Sequence, residues 1–269
     1  MIQRAIAAIL FLTGSALQET HELKWALKEG QTFTCSWVAE TKVTSPESPE
    51  TLMDFRFEIK GTLKVGKTGA DGARCELVLS KYSLKGSMGR DPIDILYESG
   101  EVRRPDPESS GGKNILRECG KTMTIRLRPN GTYAVEGKHI AQAIFEGQSD
   151  FFGSQLPPAP VAVGATWEGI LESPEARAQG RPPMKVRYKL ESRKDDAARI
   201  VLDERQEIKA AGRLLDFHAV TESTFNVRAG HCAWGKAVIH VNDVTDPKRP
   251  KPEKPDIVMT VEVEFAEKK

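Results

Sequence analysis

A period-two alternation of apolar and polar side chains, sustained over unusually long segments, is the feature that most constrains this chain. Met184, Val186, Tyr188 and Leu190 alternate with Lys185, Arg187, Lys189 and Glu191. Ile257, Met259, Val261, Val263 and Phe265 alternate with Val258, Thr260, Glu262 and Glu264. Phe55, Phe57, Ile59, Leu63 and Val65 fall on one face, while Asp54, Arg56, Glu58 and Lys60 take the other. Leu215, Phe217, Ala219, Phe225 and Val227 extend the pattern over a long segment. Successive strand residues point to opposite sides, so each run has one dry and one wet face, as in antiparallel sheets. Several runs exceed the usual strand length of about five or six residues. The expected fold is therefore mainly β: two sequential antiparallel β-units of long curved strands.

Turn chemistry supports this reading. Pro129-Asn130-Gly131 separates apolar runs at 123–127 and 133–135, and Asn-Gly tolerates the positive φ of a tight hairpin. Gly69-Ala70-Asp71-Gly72 and Lys194-Asp195-Asp196 have the same character. Helical spacing is confined to a short stretch at 114–119 and a better one at 139–152, where Ile140, Ala143, Ile144 and Phe151 approach one stripe before Gly153. That second segment is the expected connecting helix. Leu156-Pro157-Pro158-Ala159-Pro160 cannot continue a helix or a central strand and reads as a linker. Beyond it, Val163-Gly164-Ala165-Thr166-Trp167-Glu168 echoes Glu29-Gly30-Gln31-Thr32-Phe33-Thr34. This internal likeness reads as a weak duplication, with similarity between two meanders the alternative. The units are 17–155, ending in the helix, and 165–269, joined by a linker at 156–164. The Pro-rich run 246–255 reads as an exposed loop between strands.

Residues 1–16 read as a signal peptide. Arg4 precedes the apolar run 5–12, and Gly14 and Ala16 are the small residues that cleavage requires. No run approaches the roughly 20 residues needed to span a bilayer, so no transmembrane segment is expected after cleavage. Without residues 1–16 the chain has 38 basic and 38 acidic side chains. A neutral chain lacks the basic footprint of a nucleic-acid binder or a polybasic lipid patch. Localisation is expected to be periplasmic or extracellular.

Export permits disulfides, and Cys35, Cys75, Cys119 and Cys232 allow three pairings. Cys35 shares a face with Phe33 and Trp37, and Cys75 with Leu77 and Leu79. A Cys35–Cys75 bridge within one sheet is the favoured pairing, and four buried thiols are the alternative.

Catalytic patterns are missing from the sequence. There is no G-x-S-x-G elbow, and Cys232 follows His231 directly, so on a strand the two point to opposite faces. The five histidines, His21, His139, His218, His231 and His240, show no ligand spacing, and C-x-x-C does not occur, so no metal or other cofactor is implied. Glu262 and Glu264 share a wet face, the wrong surroundings for an acid of raised pKa. The chain is therefore read as not an enzyme.

Gly30 before an aromatic strand, Arg126-Leu127-Arg128-Pro129-Asn130-Gly131, and the stretch from Leu156 to Trp167 together resemble an uncharacterised family of exported bacterial β-rich proteins, known as a domain of unknown function. The resemblance covers most of the chain after its leader. It implies export and a β-rich fold and carries no site residues. The layout, a curved sheet with one covering helix, is also loosely similar to periplasmic lipoprotein carriers, at the level of fold alone. The expected function is a non-catalytic envelope protein, a structural or interaction module whose partner is another envelope protein. The first alternative is a periplasmic carrier of an apolar ligand such as a lipid, lined by Phe55, Phe57, Ile144, Phe151 and Phe152. A hydrolase with a dispersed site is the second.

Overall fold

The computed structural model describes residues 19–45, 48–98, 101–104, 119–137, 153–171, 184–210, 212–246, 248 and 255–268. The N-terminal half carries β1 (Thr20–His21), β2 (Thr32–Ser45), β3 (Ser48–Gly69), β4 (Gly72–Met88), β5 (Asp91–Glu98), β6 (Glu101–Arg104), β7 (Thr122–Leu127) and β8 (Tyr133–Glu136). The C-terminal half carries β9 (Val161–Ala162), β10 (Thr166–Leu171), β11 (Met184–Lys194), β12 (Ala197–Ala210), β13 (Arg213–Asn226), β14 (His231–Asp243) and β15 (Ile257–Glu267). Among the described residues there is no helix. The connecting helix expected over 139–152 lies outside them, as do residues 114–118 of the shorter stretch, and Cys119 sits in a turn.

Thirteen of these strands form one antiparallel sheet, in the order β10-β11-β12-β13-β14-β15-β2-β3-β4-β5-β6, with β7 and β8 added beside β4. β15 pairs with β2 from Ile257↔Val43 to Glu267↔Phe33, so the two halves of the chain share a single hydrogen-bonded sheet. The long β4 serves two neighbours: residues 73–78 pair with β7 and residues 81–88 with β5. The Asn130-Gly131 hairpin forms as its sequence suggests. Gly131 takes φ 85°, Arg128 N–H donates to the Thr132 carbonyl at 2.8 Å, and the Asn130 side chain accepts from Thr132 N–H at 3.2 Å.

The lower half of the sheet, toward the β3–β4 and β11–β12 turns, curls around a dry core. Trp37, Tyr82, Tyr188, Phe33 and Phe225 are its largest fully buried side chains. Two extended segments cover it. Along 21–27 the side chains alternate, with His21, Leu23, Trp25 and Leu27 turned inward, and the Trp25 ring meets Phe225 and Phe265 edge-on. The second segment, 153–156, joins the two edges of the curled sheet. The Gln155 carbonyl accepts from Trp167 Nε1 on β10 at 2.8 Å, and Leu156 N–H donates to Asn130, in the β7–β8 turn, at 2.8 Å.

Above this core the same rows continue, but no described element covers them. Along β2 the inward residues pass from buried Phe33, Cys35 and Trp37 to half-buried Ala39, Thr41 and Val43. Along β15 they pass from buried Phe265 and Val263 to half-buried Val261, Met259 and Ile257. Long strands thus give one face two tiers, one closed and one open. Leu63 lies in the closed tier at 0% exposure and Phe55 in the open one. Leu63→Ala should cost about 2–5 kcal/mol of unfolding free energy, whereas Phe55→Ala should stay within about 1 kcal/mol of wild type. Urea denaturation of the two variants checks this, and equal losses contradict the division into tiers.

Candidate ligand-binding face

The register aligns the open tier strand by strand. From β13 to β3, Ala219, Ile239, Met259, Thr41 and Phe55 follow one another as directly paired residues. The neighbouring row toward the rim is Phe217, Val241, Ile257, Val43 and Met53. Phe57 packs edge-on against Tyr82 at a centroid distance of 5.1 Å, where the two tiers meet, and Ile93 on β5 extends the face sideways. From β12 to β5 the tier crosses eight strands, about 34 Å at ordinary strand spacing, and rises about 13 Å along each strand. An apolar face of this size, covered by no described element, has the character of a ligand or interaction surface.

The crossover at 153–156 forms the floor of this tier. Gly153 approaches β14 so closely that an added Cβ would lie 2.6 Å from Cys232 Sγ, and its φ of 93° also favours glycine. Ser223 donates to Ser154 Oγ at 2.8 Å, both groups being buried. Gln155 Nε2 donates to the Ile170 carbonyl at 2.6 Å and its Oε1 accepts from Ile170 N–H at 3.1 Å, so a side-chain amide takes the place of a neighbouring strand. Thr221 and Ser223 put hydroxyls on an otherwise apolar row of β13. Their signal in the sequence was two polar residues in phase with Phe217, Ala219 and Phe225.

Of the lining residues expected from sequence, Phe55 and Phe57 lie on this face, half-buried on adjacent positions of one β3 row. Ile144, Phe151 and Phe152 lie outside the described residues. The favoured Cys35–Cys75 bridge does not form. Cys35 is on β2 and Cys75 on β4, with β3 between them. Two strand spacings, about 9.6 Å, exceed the roughly 7 Å limit on Cα separation for a disulfide. Both thiols are instead buried, with desolvation raising their pKa values, that of Cys75 to about 12. Alternation had placed both on inward faces but carried no information on which strands are neighbours.

The opposite, wet face of β3, β4 and β5 has a shallow concavity of about 230 Å³ lined by Arg56, Glu58, Lys81, Ser83, Lys85 and Glu98. Lys81 sits 2.7 Å from Glu58 and, with Lys60, holds that carboxyl below the usual range. The charges largely neutralise one another, so no single ligand charge is selected. His218 and His240 pair directly across β13 and β14, and His218 Nε2 lies 2.8 Å from Asp203. Among the described residues no group of three His, Cys, Asp or Glu side chains is arranged to hold a metal ion, and no helix is long and apolar enough to cross a membrane.

No family model and no curated protein matches the chain. Among solved structures, one described as lipid–protein interactions in lipovitellin matches with a TM-score of 0.56 at 12% identity, over 91% of this chain. The match spans 26% of the lipovitellin chain, so this protein corresponds to about a quarter of it and shares the fold of that portion. DynF, from the dynemicin biosynthesis pathway of Micromonospora chersina, matches over 92% of this chain and 84% of its own at 12% identity, with a TM-score of 0.23, too low to define a common fold.

His231 is buried beside the tier's floor, its ring 5.0 Å from Phe33. Burial lowers its pKa, against smaller raising effects from the Ala229 carbonyl and Glu267. A histidine depressed below its unfolded value of about 6.5 stabilises the fold above that pH, and the contribution is lost as pH falls through and below it. Unfolding free energy should therefore drop between pH 7.5 and pH 5, and by less in His231→Gln. Parallel urea titrations at the two pH values measure the difference, and an identical drop in both proteins contradicts this role.

Proposed function

We propose that the protein binds an apolar ligand of the lipid class on the open tier of its sheet and performs no chemistry on it. The observation that carries this reading is that the apolar rows of the core run on, in register, into a face that no described element covers. Burying such a face gains about 25 cal/mol per Å², and an acyl chain is suited to it because the rows offer area and few hydrogen-bonding groups. The lipovitellin likeness supports the choice of ligand class, since that protein's structure concerns its lipid interactions. The leader-like residues 1–16 add that this binding takes place in an exported, periplasmic setting.

The reading as a structural or interaction module rests on the outer edge of β10, where Ile170 is 51% exposed. Gln155 already occupies the backbone groups of Ile170 on that edge, which leaves less for a partner strand to bind.

Native mass spectrometry of the protein purified without detergent should show an apolar adduct that organic extraction removes. Met259→Asp, which places a charge in the tier, should abolish the adduct with little change in stability. A bare mass for the wild type, together with a cross-linked protein partner, supports the interaction module instead.

A further inference from the structure

Resting on the lipid-binding reading, we infer that the ligand is an uncharged amphiphile that inserts its hydrogen-bond donor, such as a hydroxyl, toward Glu204 and Thr221, rather than an anionic lipid. Both side chains belong to the inward rows: Glu204 on β12 is paired directly with Ala219, and Thr221 is the next inward residue on β13, paired with Leu202. Their surroundings are apolar, with Leu202 and Ala219 buried beside them and Ile239 opposite Ala219 on β14. Thr221 is 8% exposed and its hydroxyl has no hydrogen-bond partner. Glu204 is half-buried, and no hydrogen bond or ion pair engages it among the described residues.

Buried polar groups are normally satisfied, so the unpartnered Thr221 hydroxyl awaits a partner, and the half-buried Glu204 carboxyl lies diagonally across the strand pair from it on the same apolar face. Glu204, as a carboxylate, only accepts, and Thr221 can accept as well, so the matching group is a donor. The charge pattern selects further. Among the described inward residues from β12 to β5 the one cation is Arg213, at the rim end of β13, and its guanidinium is already paired with Asp243 at 3.2 Å, so beside Glu204 and Thr221 nothing would balance a carboxylate or phosphate. A second anion beside Glu204 in apolar surroundings would be repelled more strongly than in water. Gln206, the next inward residue of β12, is already engaged by the Lys185 carbonyl at 2.6 Å.

The test is displacement of a bound environment-sensitive fluorophore by 1-dodecanol, dodecanoate and methyl dodecanoate at pH 7. Wild type should bind dodecanol at least about tenfold more tightly than dodecanoate. Because the charged probe is intrinsically more soluble, Glu204→Gln is the diagnostic: it should shrink that ratio severalfold by strengthening dodecanoate binding. Thr221→Val, of similar shape, should weaken dodecanol severalfold and leave the donor-free ester unchanged. A ratio that Glu204→Gln does not alter, or dodecanol and ester responding alike to Thr221→Val, overturns this inference while lipid binding stands. Failure of all three probes to bind any of the proteins overturns the lipid-binding reading itself.

Discussion

Closure of the lower sheet depends on residues 153–156, and within them on Gln155. Its carboxamide satisfies both backbone groups of Ile170 at the β10 edge, its carbonyl receives Trp167 Nε1, and the next residue, Leu156, donates across to the β7–β8 turn. A sheet of this width presents two edges whose unpaired groups would otherwise invite pairing with other chains. One short segment occupies groups on one edge and fastens it to the other, and Leu156, 4% exposed, adds its side chain to the core beneath. The two covering segments also hold one another, since Trp25 N–H donates to Pro129, in the same turn that receives Leu156.

The open tier follows from where that closure stops. The covering segments cross only the lower ends of β2, β13, β14 and β15, and these strands run eleven to fourteen residues. Beyond the crossover the inward side chains of these strands remain mostly apolar, with Thr41 in the row and Arg213 and Asp243 paired at the rim, because alternation carries the character of one face along the strand. The wet face holds its register through cross-strand ion pairs. Arg205 grips Asp216 through two hydrogen bonds, and Arg199 binds Glu222 in the same bidentate manner and also contacts Glu191. Such exposed pairs contribute little stability individually, but opposite charges set diagonally across β12 and β13 disfavour a slipped register. The outcome is a frame that spends its hydrogen bonds on itself and presents an apolar face that no described element covers.

Much of this was readable in the sequence because alternation and turn chemistry are local signals. The rows of β3, β11, β13 and β15 and the Asn130-Gly131 hairpin follow directly from them, as does the inward placement of Phe55 and Phe57. Long-range pairing was not readable. Cys35 and Cys75 look alike in their own strands, and only the sheet order reveals β3 between them. Gln155 carries no sequence mark beyond its place before a proline run, although it closes the fold. The joining of both halves through β15 and β2 likewise depends on two strands more than 200 positions apart. Thr221 was the overlooked clue: a hydroxyl in phase with apolar neighbours signals either a buried partner or a ligand.

Hydroxyl-radical footprinting of the methionines measures the central claim, an apolar face that is open until a ligand covers it. Met53 and Met259 lie in the open tier, and Met123 in the closed core at 3% exposure. After organic extraction and refolding, Met53 and Met259 should oxidise readily while Met123 stays protected, and adding 1-dodecanol should protect Met53 and Met259 as well. If Met53 and Met259 resist oxidation without ligand as Met123 does, or oxidise equally with it, the open tier is not a binding face.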